Sequence, residues 1–296
     1  MRIAVLGARG QLGGAVVKEI QEAGARHDLV AFGHQELDVT DGRAVLAQME
    51  RIHPDLIVNC TGYNAVDLAE ERPVDALKLN AFAVRNIARA AAAASAILVH
   101  YGSDFVFDGE TETPYTEDDR PNPRSAYAAS KMLGEWFAED ARQFYVLRVE
   151  SLFGRVRDER PGKGTVAAIV SGLVAGTPVT VFSDRTVSPT YVFDAARATM
   201  ALVEGNAAPG VYHCVNSGHV TWADFAREAA RLLGVEAHLK VVSVADVPLR
   251  APRPRYCALS NAKLAAAGAP MPHWEDALAR HVSFLAFPLS QAPPAL

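Results

Sequence analysis

Tyr127 and Lys131 lie four positions apart in the run Tyr-Ala-Ala-Ser-Lys, a spacing that places both side chains on one face of a helix. Ser103 precedes this pair and follows an apolar, strand-like run at residues 97–101. A tyrosine hydroxyl ordinarily titrates near pH 10, and a nearby ammonium group favours its phenolate form. A serine hydroxyl beside it can hold a substrate oxygen in place. These residue types predict proton transfer at the oxygen of a carbonyl or an alcohol, with Ser103, Tyr127 and Lys131 as the catalytic set.

A glycine-rich turn near the N-terminus provides a second chemical signal. Gly7, Gly10 and Gly13 follow the apolar run at residues 2–6, and residues 13–23 have the apolar spacing of a helix. A helix N-terminus presents free N–H groups and the positive end of the helix dipole, which suit a pyrophosphate. Glycines allow a tight turn and a close approach of the phosphates. The turn predicts a dinucleotide site, and with the catalytic set it indicates hydride transfer with a nicotinamide cofactor.

Strand-like and helical segments alternate through the first half of the chain, which is typical of a parallel sheet covered by helices on both faces. The predicted strands are residues 2–6, 29–32, 56–59, 97–101 and 144–149, and the predicted helices are residues 13–23, 42–52, 74–94 and 126–141. The fold class is therefore α/β, a Rossmann-like doubly wound parallel sheet with a smaller C-terminal substrate-binding subdomain.

The pattern is less regular beyond residue 154. We predict helices at 165–175, 191–204 and 222–233, and strands at 179–182 and 211–215. The predicted division assigns 1–154, with a returning segment near 179–204, to an NAD(P)-binding domain. It assigns 155–178 and 205–296 to the substrate-binding subdomain.

Composition excludes several functional classes. The 296 residues are half apolar and carry a net charge of −5, so we expect no nucleic-acid partner. No apolar run is long enough for a membrane span, and no leader pattern precedes the first strand, so we expect no membrane association. The three cysteines form no CxxC pair and the histidines form no HExxH motif, so we expect no catalytic metal. These features predict a reduced, cytoplasmic protein.

The sequence resembles the extended short-chain dehydrogenases/reductases, and within them it is most similar to the dTDP-4-dehydrorhamnose reductases. The shared stretches are the glycine turn, residues 36–41, 54–60 and 65–70, Asn80, residues 102–109, the Tyr–Lys helix, and residues 148–154 and 184–190. Two departures concern the substrate side. Ser103 stands where the family commonly has Thr, and Ser151 stands where it often has Trp.

The resemblance implies a role for each matching residue. Gly7, Gly10 and Gly13 would hold the pyrophosphate, and the reaction would deliver hydride to the C4 ketone of a nucleotide-activated deoxysugar. The other cofactor-binding residues would be Gln11 and Leu12 through their backbone, Asp38 and Val39 by the adenine, Cys60, Thr61 and Gly62 along the cofactor, and Tyr127 and Lys131 at the nicotinamide. On the substrate side we place Ser103, Asp104 and Ser151, and the resemblance also suggests a homodimer.

The residues after the second predicted strand bear on the choice of cofactor. An acidic residue at that strand end would bind the ribose 2′-hydroxyl and select NAD, and Gly33-His34 stand there instead. Arg9 and His34 are suited to a 2′-phosphate, so the prediction favours NADP over NAD. For a substrate diphosphate the candidates are Lys163, in the charged loop at 155–164, and Arg255, in the Pro-rich loop at 252–255.

Two alternatives remain open at this stage. The same fold could carry an epimerase or a reductase of another carbonyl compound. A dehydratase is disfavoured because Asp104 is followed by Phe105 rather than by Glu. The second alternative is a non-catalytic regulatory protein that resembles the regulatory subunit of methionine adenosyltransferase, in which the Tyr–Lys pair could persist without turnover.

Overall fold

The computed structural model describes residues 1–154 and 164–286. The strands, in chain order, are β1 (Arg2–Leu6), β2 (Asp28–Phe32), β3 (Leu56–Asn59), β4 (Ile97–Ser103), β5 (Gln143–Val149), β6 (Leu152–Phe153), β7 (Val179–Phe182), β8 (Thr186–Val187), β9 (Thr190–Tyr191), β10 (Gly210–His213), β11 (Val220–Thr221) and β12 (Leu239–Val242). The α-helices are α1 (Gln11–Glu22), α2 (Gly42–Ile52), α3 (Val66–Glu71), α4 (Pro73–Leu77), α5 (Ala83–Ala94), α6 (Ala126–Ala138), α7 (Thr165–Val174), α8 (Val192–Glu204), α9 (Trp222–Leu233), α10 (Ala262–Ala266) and α11 (Trp274–Ala286).

The largest sheet has six strands in the order β10-β5-β4-β3-β1-β2, and every pairing within it is parallel. The chain moves outward from β1 in both directions, so the strand order reverses between β1 and β3. The carboxyl ends of parallel strands on either side of such a reversal form the crevice in which ligands bind. The predicted fold class is confirmed, and the sheet directs β1, β3 and β4 toward one edge.

Apolar layers cover both faces of this sheet. One layer joins the strands to α1 and α8 and contains Val16, Ile20 and Leu202. The other joins them to α2, α5 and α6 and contains Met49 and Ile87. Strands covered on both faces must be apolar along their whole length, which is why residues 3–6 of β1 are completely buried.

A separate apolar core lies in the C-terminal part of the chain. It is formed by α7, α9, α11 and β7, and its aromatic residues are Phe153, Tyr191, Trp222, Phe225 and Trp274. The strand β7 pairs in parallel with β12, outside the six-stranded sheet. Within residues 1–154 and 164–286, the structure contains no helix long and apolar enough to cross a membrane.

Two strands lie elsewhere than the predicted division places them. The strand at 179–182 was assigned to the returning segment, but it belongs to the small β7–β12 sheet. The strand at 211–215 was assigned to the substrate part, but Gly210–His213 is the sixth strand of the large sheet, beside β5. Tertiary pairing determines the sheet to which each strand belongs, because a short apolar strand has the same sequence pattern in either sheet. Helix α8 does return, since it packs against α1.

The long helix predicted over residues 74–94 is interrupted. It forms α4, then a π-helical turn at Lys78–Phe82, and then α5. Asn80, within the π-helical turn, donates hydrogen bonds from its side chain to the Tyr63 carbonyl (3.0 Å) and to Ser130 Oγ (2.9 Å). These contacts anchor the segment to α6, and π-helical turns are frequent beside functional sites.

Candidate active site

The backbone at two element ends positions Ser103 and Tyr127. Ser103 is the last residue of β4, and its Oγ accepts a hydrogen bond from the Phe105 N–H (3.2 Å), which caps a short 3₁₀ turn. Ser125 caps α6 by accepting the Ala128 N–H at 3.1 Å, so Tyr127 lies in the first turn of this helix. The carboxyl end of a central strand and the start of a helix thereby meet at the sheet edge where ligands bind in this class of fold.

The three predicted catalytic residues are brought together and are buried. The Ser103 hydroxyl lies close enough to the Tyr127 hydroxyl to lower the pKa of Tyr127. The Tyr127 ring also packs edge-on against Phe105, with 5.4 Å between the ring centroids. Lys131 Nζ donates a hydrogen bond to the Tyr101 carbonyl at 2.5 Å. These contacts fix both members of the Tyr–Lys pair beside the end of β4.

Burial controls the protonation of this pair. It raises the pKa of Tyr127 to about 12, against a lowering by the Ser103 hydrogen bond, and the charge of Asp104 raises it further. Burial lowers the pKa of Lys131 to about 8, while the nearby Glu135 opposes the change. The sequence predicted that Lys131 would favour the phenolate, but burial is the largest cause of the shift in the Tyr127 pKa and it favours the protonated phenol. Tyr127 is protonated at neutral pH, which is the form that can donate a proton to a carbonyl oxygen.

The glycine turn has the shape that a pyrophosphate requires. Gly7 has a φ of +74°, and a Cβ on Gly13 would lie 2.2 Å from the Gly7 carbonyl oxygen. Helix α1 begins at Gln11, without an acidic residue in its first turn and, among the described residues, without a side-chain cap on Gly10. The first N–H groups of α1 are therefore available to an anion. These residues fit the diphosphate of a dinucleotide, which Gln11 and Leu12 would hold through backbone N–H groups, because the Gly10 N–H already donates to the Gly7 carbonyl at 2.9 Å.

The far end of the predicted cofactor site differs from the sequence expectation. No acidic residue was predicted at the end of β2, but a turn returns Glu36 to that position. The Glu36 carboxylate accepts the Gly33 N–H at 2.9 Å and forms an ion pair with Arg9, the residue predicted to bind a 2′-phosphate. His34 is exposed beside them. Asp38 closes a surface turn by accepting hydrogen bonds from the Thr40 N–H and hydroxyl, which lower the pKa of Asp38.

The other residues predicted to line the cofactor lie along the same edge. Val39 is buried in the apolar layer under α2. Cys60 follows β3, donates its N–H to the Leu6 carbonyl (2.9 Å), and has a pKa raised by burial. Thr61 donates its hydroxyl to Asn59 (2.6 Å), and a Cβ on Gly62 would lie 3.3 Å from Asn64 Oδ1, which is a tight contact. Contact of these residues with a cofactor stays a prediction, as do the assignments of Gly7, Gly13, Arg9, His34 and Asp38.

The predicted substrate residues are spread more widely. Ser151 follows β5 and has a φ of 45°. Arg255 is exposed, and its charge acts on Asp184. The neighbouring Arg253 lies nearer the catalytic residues, because its guanidinium stacks on Phe105 at 5.9 Å and pairs with Asp67 at 2.8 Å. Lys163 lies outside the described residues, and the substrate roles of Ser103, Asp104, Ser151 and Arg255 remain predictions.

A buried polar cluster adjoins Ser103. The Asp104 and Glu150 carboxyl groups and the Cys257 sulfur each have an atom within 4.8 Å of the others. Arg185 faces the same cluster, with Nη2 donating to Cys257 Sγ at 3.7 Å. Burial raises the pKa of Asp104 to about 6, opposed by the charge of Arg185. Burial, together with the Asp104 charge, raises the pKa of Glu150 well above its ordinary value.

Comparison with known proteins identifies the family of the chain. A family model described as the RmlD substrate binding domain matches residues 1–286. The chain belongs to the RmlD substrate-binding family. The RmlD-family assignment covers both the glycine turn and the C-terminal core, so it confirms the resemblance found in the sequence.

Three known proteins are similar to this RmlD-family chain in sequence or in structure. A probable dTDP-4,6-dihydroxy-2-methyloxan-3-one 4-ketoreductase of Streptomyces antibioticus is 35% identical over 282 residues, covering 94% of this chain and 93% of the relative. A dTDP-4-dehydrorhamnose reductase of Streptomyces griseus is 34% identical over 282 residues, covering 93% and 90%. The crystal structure of a Bacillus anthracis dTDP-4-dehydrorhamnose reductase in complex with NADP has a TM-score of 0.88 and 30% identity, and covers 96% of this chain and 99% of that chain.

Three polar residues of this RmlD-family site were not predicted from the sequence, namely Glu150, Arg185 and Glu36. Glu150 follows β5 immediately, and an acidic residue at the carboxyl end of a parallel strand is a signal that could have identified it. Arg185 lies in a run recognised only as a family motif. Glu36 could not be placed from its spacing, because it reaches the end of β2 through a turn closed by the Glu36 N–H and the Gly33 carbonyl (3.2 Å).

Proposed function

We propose that this chain is an NADPH-dependent reductase that acts on the 4-keto group of a dTDP-activated 6-deoxysugar. The observation that carries the proposal is the buried Tyr127 beside the buried Ser103, at the sheet edge that also bears the glycine turn. The Bacillus anthracis relative in complex with NADP supports the choice of cofactor. The names of the two Streptomyces relatives support the substrate class.

Each catalytic residue has a role that follows from its position. The cofactor, when bound, supplies a hydride for the carbonyl carbon. Tyr127 donates its proton to the carbonyl oxygen, and Ser103 orients that oxygen by hydrogen bonding. Lys131, charged below its pKa of about 8, stabilises the resulting Tyr127 phenolate. The product is the alcohol, and Tyr127 must regain a proton before the next turnover.

A reductase of a related dTDP-sugar ketone is the second candidate. The Streptomyces antibioticus relative is named for a different sugar ketone from the rhamnose reductase of Streptomyces griseus, and its identity to this chain is similar. Ser151 would then contribute to sugar selection, since its small side chain stands where the family often has Trp.

Turnover separates both enzymatic candidates from the regulatory alternative. We would mix the protein with NADPH and a panel of dTDP-4-keto-6-deoxysugars and follow the loss of nicotinamide absorbance. Tyr127→Phe should lower kcat by at least about 100-fold because the proton donor is removed, while NADPH binding is nearly unchanged. The control is Tyr212→Phe, whose hydroxyl only donates to the Ala208 carbonyl (2.7 Å). Cofactor binding without turnover of any sugar would reject the enzymatic proposal in favour of a regulatory protein.

We further propose that the protein acts in the cytoplasm and forms a homodimer. Among the described residues, Val74, Phe82 and Trp136 are large apolar residues with 59%, 47% and 58% of their surface exposed. They lie on α4, the π-helical turn and α6, which contact one another. Apolar groups exposed close together are typical of a surface that binds another protein.

A further inference from the structure

The buried cluster beside Ser103 contains two carboxyl groups, and burial disfavours the ionisation of both at once. Asp104 and Glu150 are 4% and 2% exposed, and Arg185, also buried, is the cation that faces them. The other titratable groups around the pair, among the described residues, are Tyr127 on α6 and Tyr256 and Cys257 of the C-terminal loop. Two ionised carboxylates beside one guanidinium would leave a net negative charge in a place where burial is costly. One proton retained by the carboxyl pair makes the cluster neutral.

The hydrogen bonds of the cluster leave carboxyl oxygens free to bind that proton. Within residues 1–154 and 164–286, Asp104 Oδ2, Glu150 Oε1 and Arg185 Nε have no hydrogen-bond partner. The second oxygen of Glu150 accepts the Ser188 N–H at 2.6 Å, and Oδ1 of Asp104 accepts the Ser103 hydroxyl at 3.0 Å. Each carboxyl group thus keeps one buried oxygen free, and a free oxygen can carry a proton.

Ser103 lies between this pair and the catalytic tyrosine. Its hydroxyl donates a hydrogen bond to Asp104 Oδ1 at 3.0 Å, and it lies close enough to the Tyr127 hydroxyl to lower the pKa of Tyr127. Ser103 can therefore pass one proton to Tyr127 and receive another from Asp104. The end of β4 fixes this path, since Ser103 and Asp104 are consecutive and the Phe105 N–H holds Ser103 Oγ in place.

We propose that Asp104 and Glu150, balanced by Arg185, store the proton that returns to Tyr127 through Ser103 after each reduction. The proton count closes at every step. The hydride and the Tyr127 proton convert the carbonyl to the alcohol and leave a phenolate. The phenolate takes the Ser103 hydroxyl proton. The stored proton moves to Asp104 Oδ1, the carboxyl oxygen that is hydrogen-bonded to Ser103, and Ser103 takes it from there. The carboxyl pair, now fully ionised beside Arg185, recovers one proton from water.

This inference rests on the proposed reductase function, but its first test does not need turnover. Infrared difference spectra of the wild-type protein at pH 7.5 should show a protonated-carboxyl C=O band that shifts in D2O. The band should be lost in Glu150→Gln, because a single carboxyl beside Arg185 ionises more readily. It should also be lost in Asp104→Asn. The matched control is Asp194→Asn, whose buried carboxylate is already paired with Arg280 at 2.7 Å, and which should retain the band.

The kinetic test uses the same variants. In Glu150→Gln, kcat at pH 7.5 should fall about tenfold and KM should stay nearly constant. The solvent isotope effect should rise, and the alkaline limb of the kcat profile should move to lower pH. Asp104→Asn should lose at least as much activity, while Asp194→Asn should keep the wild-type profile.

The two proposals fail in different ways. A wild-type protein that turns over but lacks the carboxyl band at pH 7.5 would overturn the proton store. Variants with unchanged kcat and isotope effect would also overturn it. Absence of wild-type turnover would count against the reductase function, and the band would still decide whether the carboxyl pair holds a proton. If Glu150→Gln does not fold, the pH titration of the wild-type band gives the same decision.

Discussion

Burial shifts the protonation of Tyr127 and Lys131 in opposite directions. Burial disfavours the charged form of each group, so the phenol loses its proton less readily and the ammonium group loses its proton more readily. The pKa of Tyr127 therefore rises and that of Lys131 falls. Tyr127 thereby stays protonated at neutral pH, and Lys131 stays charged only below about pH 8. This combination suits reduction, in which the tyrosine gives up a proton and the lysine stabilises the remaining charge.

The cost of burying Lys131 predicts how stability depends on pH. The gap between the ordinary lysine pKa of 10.5 and about 8 corresponds to roughly 3 kcal/mol. Between these pH values the unfolded chain binds the proton and the folded chain does not, so the wild-type protein gains stability as the pH rises. Methionine at this position has no proton to lose. The advantage of Lys131→Met over wild type in unfolding free energy should therefore shrink as the pH rises from 8 toward 10.5.

Chemical denaturation at several pH values checks this prediction. The control is Lys18→Met, because Lys18 is 44% exposed and pairs only weakly with Glu22 (3.6 Å). Its difference from wild type should vary little over the same range. A Lys131→Met difference that is equally flat would show that the buried ammonium carries no such cost.

The Arg9–Glu36 pair predicts how the cofactor preference can be changed. The Glu36 carboxylate is paired with Arg9. It places a negative charge at the end of β2, and this charge would repel a 2′-phosphate. Glu36→Gln should tighten NADPH binding by about three- to tenfold and leave NADH binding nearly unchanged. Arg9→Ala should weaken NADPH binding by about tenfold. Fluorescence titration of both cofactors measures these changes, and equal effects on NADPH and NADH would exclude Arg9 from the 2′-phosphate site.

The π-helical turn and α6 pack closely against each other and form one structural unit. The Asn80 carbonyl lies so close to α6 that a Cβ on Gly134 would be 2.0 Å from its oxygen. Ser130 receives the Asn80 side-chain bond and donates its hydroxyl to the Tyr127 carbonyl (2.7 Å). The close approach of the two segments therefore fixes the helix that carries Tyr127 and Lys131.

This close packing predicts that Gly134 does not tolerate a methyl group. Gly134→Ala should destabilise the protein by about 1–3 kcal/mol or more, because backbone rather than a flexible side chain would have to move. It should also lower kcat, since α6 would shift relative to Ser103. Thermal unfolding and turnover measure both effects. Ala129→Ser, on the exposed side of the same helix, is the control, and a Gly134→Ala protein with wild-type stability would contradict the packing argument.

For the whole molecule, the two cores meet where the site is built. The six-stranded sheet supplies Ser103 and Glu150 from adjacent strand ends, and α6 supplies Tyr127. The C-terminal part supplies Arg185 and Cys257, which complete the polar cluster. Neither part contains the full set of groups, so the arrangement depends on docking between them.

The exposed apolar surface on α4, the π-helical turn and α6 predicts the oligomeric state. Trp136→Glu should convert a homodimer to a monomer, because a charge would be buried in the interface without a partner. Sedimentation velocity at micromolar concentration measures the mass of each species. Val174→Glu changes an equally exposed apolar residue on α7 and should leave the dimer intact. A wild-type protein that sediments as a monomer would reject the homodimer.

The local elements and the types of catalytic residue could be predicted from the amino-acid sequence. Strands β1 and β3 and helices α2 and α9 have the predicted bounds, because buried strands and amphipathic helices have short-range apolar patterns. Ser103, Tyr127 and Lys131 could be named for the same reason, since their element ends and spacing are local features. Their assembly beside the end of β4 follows from the parallel topology that the strand–helix alternation predicts.

Contacts between groups that are far apart along the chain depend on the tertiary structure. It placed β10 in the large sheet and β7 outside it, and it brought Glu36 to the end of β2. It also assembled Asp104 and Glu150 with Arg185, residues far apart along the chain. Pairing partners and burial depend on the whole packed chain, whereas apolar periodicity does not. The pKa values of Tyr127 and Lys131 were set in the same way, because the loss of water around each group is the largest cause of its shift.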